Sequence, residues 1–190
     1  MNESINTIFK SQKGYLQANQ LSSRNHYYQL KEMMEKGDVV MVKRGLYKHN
    51  GMATDDDWTE ACKIVPSGVL CLFSAWQFYQ LTTHVTAVYH VAIPNKSKVV
   101  LPPFPPIKLY YWSDSYYNIG KENVNGISIY SIEKSVCDAV KFRNKTGKDT
   151  TMEVIRNYLN RKDRNIDLLL KFAKSLRVET LLKQYLEIML

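Results

Sequence analysis

Residues Gly14–Lys48 read GYLQANQLSSRNHYYQLKEMMEKGDVVMVKRGLYK, and the order of signals within them decides the fold. Leu16, Ala18 and Leu21 fit a helix of five or six residues, too short to be stable unless packed. Ser22 and Ser23 interrupt it. Either hydroxyl can accept a hydrogen bond from a free amide at the start of the next helix. That helix runs from about Arg24 to Lys36, with Tyr27, Leu30 and Met34 on one face. Gly37 stands where a C-terminal cap wants a left-handed residue. Val39 to Val42 and Leu46 to Lys48 then form a hairpin across Lys43-Arg44-Gly45, with Gly45 supplying the turn. A short helix, a break, a longer helix and a basic hairpin follow the order of a winged helix-turn-helix, which lays one helix in the DNA major groove.

That geometry names candidate contacts. Side chains near the start of the longer helix point at base edges or phosphates, and these are Ser23, Arg24, Asn25, Tyr28 and Lys31. Arg pairs with guanine and Asn with adenine in the major groove. Lys43 and Arg44, at the hairpin tip, meet phosphates or the minor groove. The same elements also occur in modules that bind only protein, so that alternative stays open.

Working outward, Ile5, Ile8 and Phe9 recur at helical spacing and give a first helix from about Glu3 to Ser11, stopped by Gly14. On the other side, Thr54 to Asp57 starts a helix that ends near Val65. Asp57 and Glu60 form a capping-box-like pair, and the run Asp55-Asp56-Asp57 suits a helix start better than a metal. An apolar helix is expected from Val69 to Leu81. From Thr86 the period changes to two, giving a strand closed by Pro94. Lys98 to Leu101, Lys108 to Trp112 and Gly126 to Ser131 read as further strands of one sheet, whose order the sequence does not give. Pro102-Pro103-Phe104-Pro105-Pro106 reads as a rigid extended connector. Helices are expected near Ile132–Arg143, Thr151–Leu159, Ile166–Leu176 and Val178–Met189, with Thr150 to Glu153 as a capping box. The expected class is α+β. A winged helix-turn-helix domain (1–50) precedes a mixed domain (51–190) with a central β-sheet and a helical C-terminal part.

The 190 residues carry 26 Lys+Arg against 18 Asp+Glu, a net charge of +8, which favours a polyanionic partner. Residues 1–50 hold 8 basic and 4 acidic side chains and residues 141–174 hold 10 and 4, so two basic regions flank a near-neutral middle. Within the second, Arg156, Arg161, Lys162 and Arg164 cluster at one helix end as a possible second nucleic-acid patch. The longest apolar stretch, Gly68 to Phe73, is too short for a bilayer, and MNESINTIFK lacks a signal-peptide pattern, so a cytosolic protein without a membrane partner is expected.

Cys62, Cys71 and Cys137 are widely spaced and odd in number, as reduced thiols are. His26, His49, His84 and His90 show no metal-ligand spacing, and neither a G-x-S-x-G elbow nor a phosphate-cradling glycine loop is present. Cys137 falls on an apolar helix face with Val136 and Val140, and Asp138 is expected in a helix-surface pair with Lys134, Lys141 or Arg143. Asp114, Glu122 and Glu133 do not make the D…E-x-K arrangement of a metal-dependent nuclease. No catalytic residue, metal or cofactor is therefore expected, and a nuclease-like enzyme stands as the alternative.

The chain resembles the AbiEi family of antitoxin transcriptional regulators, from bacterial abortive-infection toxin–antitoxin systems. The resemblance lies in GYLQANQL, the helix after it, GDVVMVKRGLYK, VPSGVLCLFSAWQFYQLT, YHVAIP, VNGISIYSIEKSVCDAVKFRNKTG and LLLKFAKSLRVETLLKQYLEIML. It implies a repressor that binds inverted repeats in double-stranded DNA of its own promoter. It also implies an antitoxin domain that counters a nucleotidyltransferase-like toxin without a stable complex. DNA contacts carried over by position fall in Arg24 to Lys31 and at Lys43 and Arg44. The stretch Asn25-His26-Tyr27-Tyr28 departs from the family pattern, so the DNA sequence that is read cannot be inherited.

Overall fold

The computed structural model, whose described residues are 4–52 and 57–189, is α+β, with helices interleaved among strands that form two separate sheets. It packs as two compact units, Met1–Pro66 with Val99–Pro105, and Ser67–Lys98 with Pro106–Leu190.

The first unit contains α1 (Ile5–Ser11), β1 (Tyr15–Gln17), a 3-10 turn (Ala18–Gln20), α2 (Arg24–Glu35), β2 (Val39–Lys43), β3 (Leu46–His49) and α3 (Asp57–Ile64). Its antiparallel sheet has the order β1-β3-β2. Ile5, Ile8, Phe9, Leu16, Leu21, Leu30 and Val39 form its core. The helix expected over Leu16, Ala18 and Leu21 is corrected to a strand and a single 3-10 turn. Five residues cannot offset helix nucleation, whereas pairing Tyr15–Gln17 with Lys48–Leu46 satisfies their backbone at once. The buried face of α2 is also corrected. His26 and Leu30 are buried and Met33 packs on the core, while Tyr27 and Met34 are exposed. Two stripes one residue apart fit the helical period here, and the one containing a histidine goes inward. Residues 53–56 and the side chain of Asp57, hence the expected Asp57 cap and the acidic run, lie outside what is described.

The second unit holds β4 (Val69–Leu70), α4 (Leu72–Phe78), β5 (Tyr89–Pro94), β6 (Ile107–Trp112), α5 (Asp114–Tyr117), β7 (Lys121–Val124) and β8 (Ile127–Tyr130). It ends in α6 (Ile132–Thr146), α7 (Lys148–Leu159), α8 (Ile166–Ser175) and α9 (Glu179–Met189). The sheet order is β6-β5-β4-β8-β7, parallel at β5–β6 and β4–β8 and antiparallel elsewhere. Val69 and Leu70, expected to begin a helix, are instead its central strand. Both are buried, and an apolar run enclosed on both faces carries no period to tell strand from helix. Lys98 to Leu101 is not a strand, and Val100 there is 88% exposed. The capping box expected at Thr150 is absent. The α7 helix starts earlier at Lys148, Thr151 is buried with its hydroxyl donating to the Ala139 carbonyl (3.0 Å), and Glu153 accepts from Thr82 and Thr83.

Trp76, Tyr130, Val140 and Tyr158 lie at the centre of this unit's core, with α6 threaded through it. Asp138 pairs with Lys134 as the spacing suggests, at 2.6 Å, but in the interior and not on the surface. Both side chains have no solvent exposure. Trp112, Tyr116 and Tyr130 surround the ammonium with ring centroids 4.0, 4.3 and 3.7 Å away, and the Tyr116 hydroxyl donates to Asp138. Aromatic faces and a partnered carboxylate together replace the hydration that the buried cation loses.

Candidate nucleic-acid interface

The α2 helix is fixed at both ends by its own sequence. Ser23 caps it, its hydroxyl accepting from the His26 amide at 3.3 Å. At the other end the Gly37 amide donates to the Met34 carbonyl (3.1 Å) and the Asp38 amide to the Met33 carbonyl (2.9 Å), with Gly37 at φ +77°. That double bond is a Schellman close, which needs a left-handed residue at this position.

With His26 and Leu30 held inward, Arg24, Tyr28 and Lys31 fall at steps of four and three along the opposite side and are exposed, with Asn25 exposed beside them. Lys31 lies 3.7 Å from Glu35, and both are well exposed, a pair weak enough to open for another anion. Tyr27 and Tyr28 are 53% and 66% exposed and, with Leu21, Ser22, Ser23 and Arg24, line a shallow hollow at the helix start. Tyr27 was not legible as part of this surface because its spacing also fits the core.

At the hairpin tip Gly45 adopts φ +80°, and its carbonyl accepts from the Ala18 amide at 2.9 Å, which fastens the turn to the 3-10 segment. Arg44 is exposed there. Lys43 is turned away, its ammonium donating to the Ile64 carbonyl at the end of α3, and burial pulls its pKa down. The expectation that Lys43 reaches phosphate at the tip is thus met by a cation already serving a helix C-terminus. Lys48 and the Tyr15 hydroxyl both bond Glu60 of α3 at 2.6 Å, so this helix is tied to the sheet by a buried carboxylate.

In the second unit, the basic group named from sequence divides. The Arg161 guanidinium bonds both carboxylate oxygens of Asp163 (2.9 and 2.8 Å) and the Tyr79 carbonyl (3.0 Å), and Arg164 donates to the Arg161 carbonyl (2.7 Å). These two brace a loop, while Arg156 and Lys162 are exposed. A different set of cations, Lys141, Arg143, Lys174 and Arg177, lines one hollow at the start of α9. The acid in that hollow, Glu179, is paired to Lys183 at 2.7 Å. They form two close pairs, Lys141 with Arg143 and Lys174 with Arg177, that lie far apart in sequence, so no local signal joins one pair to the other.

Cys137 is buried against the Leu169 carbonyl, and burial pushes its thiol far up, so it is not a thiolate nucleophile. Among the described residues no three His, Cys, Asp or Glu side chains come together as they would around a metal ion, and no helix is long and apolar enough to cross a membrane.

No family model matches the chain, and no curated protein matches it in sequence. The structure is similar to the crystal structure of the RV2827C protein from Mycobacterium tuberculosis, with a TM-score of 0.59 at 10% identity over 90% of this chain and 69% of that one. At that identity the likeness is one of fold alone.

Proposed function

We propose that this chain is a sequence-specific DNA-binding repressor and the antitoxin of a bacterial toxin–antitoxin pair, as its resemblance to the AbiEi family implies. In this reading the first unit is a winged helix-turn-helix, α2 enters the major groove, and the turn between β2 and β3 is the wing. The single observation that carries it is the outer side of α2, where Arg24, Asn25, Tyr28 and Lys31 are all exposed on a helix capped by Ser23. Arg24 and Asn25 supply the two side chains that best read guanine and adenine, and Lys31 and Arg44 supply backbone contacts. Lys43 is left out of the contact set because its ammonium is already bonded. The chain acts without catalysis, in the cytoplasm. The second unit counters a nucleotidyltransferase-like toxin as a functional partner, without a lasting complex.

The test is a mobility shift with the DNA upstream of the protein's own gene. The wild type retards this DNA at low salt and releases it as salt rises. Asn25→Ala changes which sequence variants are preferred, because it removes a base contact and not a phosphate contact. A folded protein that leaves this DNA unshifted overturns the repressor reading. If a nucleotidyltransferase-like frame adjoins the gene, co-expression of this chain should restore growth to cells that express that frame. Degradation of plasmid or RNA by the purified chain with Mg2+ would revive the nuclease alternative.

A protein-binding module is a second reading, favoured by the exposure of Val40 and Met41 on β2 at 43% and 54%. It requires that Arg44→Glu leave function untouched.

A further inference from the structure

Where α4 begins, the last turn of α6 faces β6, and the second unit encloses a cavity of about 360 Å3 there. That size lies within the range of small-ligand sites, roughly 300–1,000 Å3. The wall is aromatic. Trp112 and Phe142 stack with centroids 5.8 Å apart and planes 7° from parallel. His90 and Tyr110 stack at 5.4 Å and 22°, and Phe73 meets His90 edge-on at 5.3 Å. The sheet ends at β6, so the cavity lies at a sheet edge with no further strand across it.

Polar groups enter at two points. Lys108 of β6 and Lys145 of α6 line the cavity, both are exposed, and no lining residue is acidic. Neither lysine makes an ion pair among the described residues. His90 carries no charge near neutrality, since burial, with Lys108 and His84 adding to it, pulls its pKa down to about 4. The Tyr110 hydroxyl and His90 Nδ1 lie 2.8 Å apart and share a hydrogen bond. The cavity thus presents an aromatic wall, a neutral imidazole and two cations with no carboxylate partner, Lys108 with its ammonium 5.7 Å from the Tyr110 ring centroid. The backbone adds a separate sign. Leu72, another lining residue, sits at φ +46°, a left-handed conformation that a branched side chain adopts only at a cost and that clusters at ligand sites.

We propose that this cavity binds a nucleoside phosphate, with the base against the aromatic wall and the phosphate on Lys108 and Lys145. An uncharged aromatic molecule would leave Lys108 and Lys145 without an anion, and an inorganic anion would make no use of the ring-lined wall. A base stacks on an aromatic face whatever its identity, and ammonium groups hold phosphate as point charges. The site is independent of the duplex contacts proposed for the first unit, and each can fail without the other.

The test titrates the full chain by calorimetry with adenosine 5′-monophosphate and uridine 5′-monophosphate, and separately with adenosine, uridine and inorganic phosphate. The expected result is saturable one-to-one binding of at least one nucleotide. Its affinity should exceed that of its own nucleoside and of phosphate by about tenfold, the worth of one charge-assisted contact. Lys108→Ala and Lys145→Ala should each weaken it about tenfold, with circular dichroism unchanged because both side chains are exposed. Three results overturn the proposal: no saturable nucleotide binding, equal binding of nucleoside and nucleotide, or binding indifferent to both substitutions.

Discussion

Lys43 and Arg44 are neighbours whose surroundings give them different work. The Lys43 ammonium bonds the Ile64 carbonyl, whereas Arg44 stands exposed on the turn. Lys43→Ala should therefore destabilise the fold by about 1–2 kcal/mol, a charged hydrogen bond discounted for partial solvent access. It should leave duplex affinity within about twofold. Arg44→Ala should leave stability within about 0.5 kcal/mol, yet weaken the proposed duplex binding by a similar factor on every sequence. Urea unfolding and mobility shifts on the same pair of variants read both halves. Glu153 carries a pH signature of the same local kind. Burial pushes its pKa up, but the Thr83 amide and the Thr83 and Thr82 hydroxyls outweigh that and leave it lowered. A carboxylate whose folded pKa is depressed contributes stability above its unfolded pKa, near 4.3, and loses it as pH falls through the folded value. Glu153→Gln should cost about 1 kcal/mol at pH 7, given the group's partial exposure. Its deficit against wild type should shrink as the pH falls below about 4, read by urea midpoints from pH 3 to 7.

At the scale of elements, α2 was legible because its signals are local. A serine cap, an apolar stripe and a glycine at the left-handed close all fall within fifteen residues of one another. Ser23→Ala should lower stability by about 1 kcal/mol and Ser23→Gly by only a few tenths, read as shifts in unfolding midpoint. Elements that depend on distant partners were not legible. The Val69–Leu70 strand has two residues, and it is a strand because β5 and β8 lie on either side of it. Lys98 to Leu101 has strand-like composition and no strand to pair with. β7 is polar and exposed along most of its length, so alternation gives no hint of it, and only its hairpin with β8 orders it. The inward stripe of α2 was misread for a related reason. Tyr27 and Met34 look more apolar than His26, but which stripe is buried depends on the sheet that packs against the helix.

Across the whole molecule, sequence counting locates charge without saying which cations converge. Arg156, Arg161, Lys162 and Arg164 are neighbours in the chain, yet Arg161 and Arg164 are bonded into their own loop. Lys141 and Arg143 of α6, Lys174 of α8 and Arg177 in the corner after it share one hollow. The net charge of +8 therefore predicts affinity for polyanions but not the number of phosphates held. Salt dependence measures that number. If Arg24, Lys31 and Arg44 each neutralise one phosphate, alanine at each should reduce the slope of log affinity against log salt by about 0.9. Arg156→Ala and Lys162→Ala should leave the slope unchanged, since half of their group is committed to the fold and the remaining two cations have no lining partner in the basic hollow. A slope that falls with Arg156→Ala and not with Arg44→Ala would move the duplex contact from the first unit to the second, and the reading of α2 as the DNA-facing helix would fail with it.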